Sequence, residues 1–232
     1  MSQLSAPPPQ PTAGDQGLAS AAPEYAAEAI RRSWNEFSMW WDHTHPDGTL
    51  DLDVARTVVG RLGSWSGQRT MADLIAESCE GSEITDNSSP NAVPPPDATF
   101  ADISAALSGT RTAIIDWLDR SDWQHTALAP AATPLGRLPL LTALHGTAHQ
   151  LAVAQMALLG DPALASPTLV MAGVVATCDT MGAFAARTDV RGSLALVTPT
   201  DVIATWAEAG NWCTFMGSSL PPGYRGPALS QR

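Results

Sequence analysis

Residues 140–160 read LLTALHGTAHQLAVAQMALLG, a run of strong helix formers that carries two histidines, His145 and His149, four residues apart. At about 3.6 residues per helical turn this spacing sets both imidazoles on one side, about 6 Å apart along the axis. Leu141, Ala148, Ala152 and Met156 share that side, so both rings are expected to face apolar neighbours. Two inward histidines so spaced can share one metal ion. They can equally be core residues satisfied by hydrogen bonds.

Working outward, the run stops at Gly160 before Asp161-Pro162 and is preceded by TPLGRLPL, with a turn at Leu135-Gly136. Ser166 and Pro167 then open a helix to about Arg187, with Leu169, Val174, Cys178, Met181 and Phe184 inward. Beyond Gly192, SLALVTP, VIATW and NWCTFMG are short β-branched and aromatic runs that read as a small antiparallel unit. Upstream, Pro23 starts a helix to about Asp42 with Tyr25, Ala29, Trp34, Phe37, Trp40 and Trp41 available for one broad apolar face. It runs into WDHTHPDG, where His43 and His45 next to Asp42 are turn residues or metal ligands. A helix over Leu52–Leu62 stops at Gly63, and Thr70 with Asp73 caps another over Met71–Cys79 that carries Glu77. Gly81 to Ala98 is a proline-rich connection without periodicity, disordered or covering a site. Asp97 or Thr99 then caps a helix to about Leu118, and His125 falls in the turn beyond it.

These elements divide the chain into a disordered tail (1–22), a helical bundle (23–162), a helix with a small β extension (163–216) and a C-terminal tail (217–232). The whole is mainly α. With 12 basic and 23 acidic residues the chain carries a net charge of −11, and no basic cluster is longer than Arg31-Arg32. Nucleic acid and anionic membrane surfaces are therefore not expected partners. Cys79, Cys178 and Cys213 are too few and too scattered for a disulfide framework. The N-terminus shows no export signal, and no uninterrupted apolar run approaches membrane length, so a soluble cytoplasmic protein is expected.

A long first helix, Trp65 followed by ADLIAE, a further long helix and then TPLGRLPLLTALHGTAHQLAVAQMALLG together resemble the DinB-like metal-binding bundles. The likeness is greatest to the branch that includes the N-terminal domain of mycothiol-dependent maleylpyruvate isomerase, and it covers about residues 24 to 216. It implies an antiparallel four-helix bundle followed by an additional helix and a small antiparallel β unit. It also implies a divalent metal, zinc by preference, held by one histidine of the earlier helix and an i, i+4 pair on the later one. His145 and His149 match the pair, while Glu77 stands where the family's first histidine ligand falls. The implied set is then His145, His149 and Glu77, with mycothiol or a similar thiol as cosubstrate. Metal loss is the opposing reading. Against it stand the two retained histidines and the lack of a basic residue at the substituted position that would neutralise Glu77.

The function the resemblance implies is a metal-dependent transferase or isomerase that uses a low-molecular-weight thiol on a small electrophilic substrate, in a specialised pathway. A ferrous site is a variant of it. The alternative is a non-catalytic, metal-free small-molecule binding or resistance protein on the same bundle. The expected partners are a small-molecule substrate and, at most, a second copy of the chain.

Overall fold

Hydroxyl and carboxylate side chains set the helix starts. Thr70 Oγ1 accepts from the Asp73 amide at 3.3 Å, and Asp73 Oδ2 accepts from the Thr70 amide at 2.7 Å. Thr99 and Asp102 repeat the arrangement, and each box satisfies two backbone donors that the first turn would leave free. These bonds from Thr70 and Thr99 hold the Asp73 and Asp102 carboxyls below the usual aspartate range. Asp51 caps a third start, accepting from the amides of Asp53 and Val54.

The computed structural model describes residues 17–47, 49–81, 92–188, 190–197, 202–208, 211–220, 224 and 226–230. Helix α1 is Leu18–Ala21, α2 Pro23–Thr44, α3 Leu52–Val58, α4 Met71–Glu80, α5 Phe100–Asp119, α6 Trp123–Thr126, α7 Leu140–Leu159 and α8 Pro167–Arg187. The strands are β1 Pro130–Thr133, β2 Gly136–Pro139, β3 Gly192–Val197, β4 Val202–Glu208, β5 Asn211–Gly217 and β6 Ala228–Ser230. The fold is thus mainly helical with a small C-terminal sheet. The chain forms two units, Glu24–Ala176 and the combination of Met1–Pro23 with Thr177–Arg232.

In the helical unit the core is aromatic on α2 (Trp34, Phe37, Trp41), with Ile103, Ile114 and Trp117 from α5 and Leu140, Leu141, Leu144 and Leu151 from α7, all nearly or fully buried. Buried indoles need a partner for N–H. Trp34 donates to Thr147 Oγ1 at 2.9 Å, tying α2 to α7, and Trp41 donates to Ser104 Oγ at 2.7 Å, tying α2 to α5. The expected turn at Leu135-Gly136 is the tip of a hairpin, β1 against β2, with Gly136 at φ 87°. The backbone amides of Leu140 and Leu141 donate back to Ala129 and Ala127, so the segment leading into the hairpin caps α7. The helix expected over 52–62 ends as α-helix at Val58 and finishes as a 3-10 turn, Gly60–Leu62.

In the second unit the strands run in the order β5-β4-β3-β6, antiparallel except for β6, which pairs parallel to β3 through Ala228 to Ser230. The C-terminal segment expected to be a loose tail thus supplies an edge strand. The other tail is corrected in the same way. Gly17 donates its amide to Trp212 O at 2.7 Å, and Leu18 and Ala19 are buried; the first sixteen residues of that tail lie outside the described residues, as does most of the Gly81–Ala98 connection. The boundary expected near residue 163 falls inside α8. Among the described residues one helix, Pro167–Ala186, is long and apolar enough to cross a bilayer, and half of it is buried within the protein.

Candidate functional site on helix α7

Helix α7 presents its solvent side as a narrow stripe. Ala143 and Gly146 are half-buried and His149, Gln150, Val153 and Ala157 exposed, at the three- and four-residue steps of one helical face. His149 therefore does not share the buried side with His145, as the spacing alone suggested. A step of four residues turns the helix by about 40° beyond a full turn, enough to cross from a buried face to an exposed one. The Cα of His149 lies at the crossing of α8, where a methyl on Gly173 would come within 3.3 Å of it and 2.9 Å of Ala152 Cβ.

His145 is only 1 % exposed, and neither Nδ1 nor Nε2 has a hydrogen-bond partner. One turn earlier the buried Thr142 hydroxyl is also unpartnered. The other buried polar side chains of α7 are satisfied. Thr147 Oγ1 accepts from Trp34 and donates to Leu144 O at 2.6 Å, and Gln155 Oε1 accepts from the Ser166 amide at 2.8 Å. Orphaned polar groups in a native interior are few, and each calls for a reason. Burial pushes the His145 pKa down to about 4, so the ring is neutral at physiological pH. A neutral imidazole offers one N–H donor and one acceptor nitrogen at once. As a base it is weak, because proton abstraction near neutrality favours a pKa near the working pH.

Glu77 is engaged elsewhere. Arg69 Nε donates to Glu77 Oε1 at 3.2 Å and Nη2 pairs with Oε2, a two-pronged contact on a carboxylate that is 38 % exposed. The neutralising cation missing at the substituted position is thus supplied eight residues upstream. Among the described residues, no three His, Cys, Asp or Glu side chains are grouped to hold a metal ion. The donor set His145, His149 and Glu77 is not brought together in this structure: one member is buried, one lies on the solvent stripe and one is paired with arginine.

The remaining candidates have structural partners. His43 Nδ1 bonds to Met39 O at 2.6 Å and His45 Nδ1 to Trp41 O at 2.7 Å, with the His45 ring stacked 5.1 Å from that of Trp41. Both histidines close the end of α2. His125 is exposed on α6. Cys79, Cys178 and Cys213 are free thiols, and burial, with Asp179 beside it, pushes Cys178 up to about 11, which keeps it protonated and unreactive. Sequence reasoning missed Thr142, whose i, i+3 relation to His145 was the available signal, and Arg69, for which no periodic signal exists.

In comparisons with family models, with curated proteins and with solved structures, nothing matches this chain, so its site is read from its own residues.

Proposed function

We propose that this protein binds a small molecule in the interior of its helical unit, at the side of α7 that carries His145 and Thr142, without a metal. The observation that carries the reading is the fully buried imidazole with both nitrogens unpartnered. Leaving such groups dry and unpaired is unfavourable, and a ligand with one donor and one acceptor removes the penalty. The long helices of the unit are read as the antiparallel four-helix bundle of the DinB-like proteins, and its free thiols suit a reducing cytoplasm. Whether the bound molecule is also transformed is decided by turnover. A thermal-shift screen of small uncharged aromatic and polar compounds tests the proposal. Hits are expected to lose at least about tenfold in affinity with His145→Leu, a loss of about 1.4 kcal/mol. Hits that bind that variant as tightly as the wild type overturn it.

The second reading is the metal-dependent enzyme using mycothiol or a similar thiol, as the resemblance implies. It is favoured by one observation: His145 is neutral and unpartnered, the state a metal ligand requires, and His149 follows it by four residues. It also requires Glu77 to leave Arg69. Elemental analysis of protein purified without added metal separates the two. Stoichiometric zinc that is lost in both His145→Ala and Glu77→Ala establishes the second reading, and its absence leaves the first.

A further inference from the structure

The unit formed by Met1–Pro23 and Thr177–Arg232 contains a polar centre that the small-molecule site does not use. Asp179, 1 % exposed on α8, receives three donors on a single oxygen. Thr214 Oγ1 donates to its Oδ1 at 2.6 Å, Trp212 Nε1 at 3.1 Å and the backbone amide of Leu18 at 3.1 Å. Its other oxygen, Oδ2, is buried and receives none. Two of the donors come from β5, and the third comes from the far end of the sequence, 161 residues away.

That third donor belongs to the short segment Gly17–Ala21. Gly17–Ala21 places the Gly17 amide on Trp212 O and buries two side chains, Leu18 and Ala19. The fit is close. Gly17 adopts φ +62°, and a methyl there would stand 2.0 Å from Trp212 Nε1 and 2.2 Å from Asp179 Oδ1. Within the sheet, β4 is paired with β3 from Val202 to Ala207 on one side and with β5 from Val202 to Glu208 on the other, without this segment. The Trp212 and Thr214 donors to Asp179 Oδ1 come from β5 and not from this segment, so neither depends on Leu18.

We propose that Gly17–Ala21 is a strap that opens and closes on the C-terminal unit as one piece, with Asp179 as its catch, while the sheet beneath stays folded. Opening uncovers the indole of Trp212 together with the Asp179 carboxylate, an apolar face beside an anionic acceptor. The strap is thus a conformational element joining the two ends of the chain, and it belongs to the low-stability end of local opening motions.

Amide hydrogen exchange on the full chain tests this. The amides of Gly17 and Leu18 are expected to exchange at least about tenfold faster than those of Ala204 and Thr205 in β4, with little dependence on low denaturant. Asp179→Ala is expected to speed Leu18 by a further factor of about ten and to leave Ala204 and Thr205 within about twofold. Gly17→Ala, which keeps the Asp179 carboxylate but sets a methyl against it and against Trp212, is expected to give the same pattern and decides the matter if Asp179→Ala does not fold. The proposal is overturned if strap and β4 amides exchange together with one denaturant dependence. It is equally overturned if the folded variants speed both regions alike or neither, or if neither variant folds.

Discussion

The helical unit and the C-terminal unit each bury one ionisable polar side chain to within 1 % exposure, His145 and Asp179, and they treat it in opposite ways. His145 lies in an environment that gives it no hydrogen bond, and burial alone drives it toward its neutral form. Asp179 receives three donors on one oxygen, yet desolvation outweighs them and its pKa is raised, so it too is driven toward neutrality. In the first unit the missing partners point to a ligand. In the second the partners are present, and one of them can leave.

The comparison can be broken most directly by pH. The folded pKa of His145, about 4, lies below its unfolded value of 6.5, so its contribution to stability is present above pH 6.5 and is lost as pH falls toward 4. The loss amounts to about 3 kcal/mol for the helical unit. Urea unfolding followed by far-UV circular dichroism across this range should show it, and His145→Leu should flatten that part of the curve. An unchanged slope in the variant would mean that His145 is solvated and the site misread.

A smaller effect sharpens the same point at fixed pH. Replacing His145 by Leu, of similar volume, removes two unpartnered buried atoms and should stabilise the ligand-free protein at pH 7 by about 1–2 kcal/mol while abolishing binding. A destabilisation instead would show that the imidazole is satisfied in solution. For Asp179 the pH sign reverses. Its folded pKa is raised above 3.8, so its contribution is fully present below that value and is lost as pH rises through the folded pKa. Asp179→Asn, which keeps an acceptor oxygen and carries no charge, should remove this fall, with a difference at neutral pH of about 1 kcal/mol. The least effect belongs to the half-buried pair: Glu77→Gln should shift stability by about 0.5 kcal/mol or less, because solvent reaching Glu77 screens its contact with Arg69. A larger loss would mean that Glu77 works in the interior.

What the sequence disclosed follows from how local each signal is. The capping boxes at Thr70 and Thr99 and the glycine stop at Gly160 act within one turn of chain, and the helices begin and end where those residues say. The β1–β2 hairpin read only as a turn because its strands are four residues each, begun and ended by prolines, too short to show alternation. The strap was hidden by composition, since Gly17 to Ala22 holds a single large apolar side chain and is ordered by a carboxylate from α8. At the candidate site, the helix and the depth of His145 were legible. The outward turn of His149 and the capture of Glu77 by Arg69 were not, because the first depends on packing and the second on a contact between residues outside one helix's three- and four-residue steps, which no periodicity reports.

The order of strands in the C-terminal sheet bears on how the chain is made. β3 is flanked by β4 on one side and by β6 on the other, yet β6 follows β4 and β5 in sequence. During synthesis β3, β4 and β5 can pair as soon as they emerge, while the outer edge of β3 stays bare until Ala228–Ser230 arrives. For that interval the nascent chain presents an unpaired row of amides and carbonyls, the kind of template on which two chains join edge to edge. Residues 228–230 cover the Ala195–Val197 half of that edge, so ribosome stalling or premature termination just before them would leave this half of β3 bare and aggregation-prone.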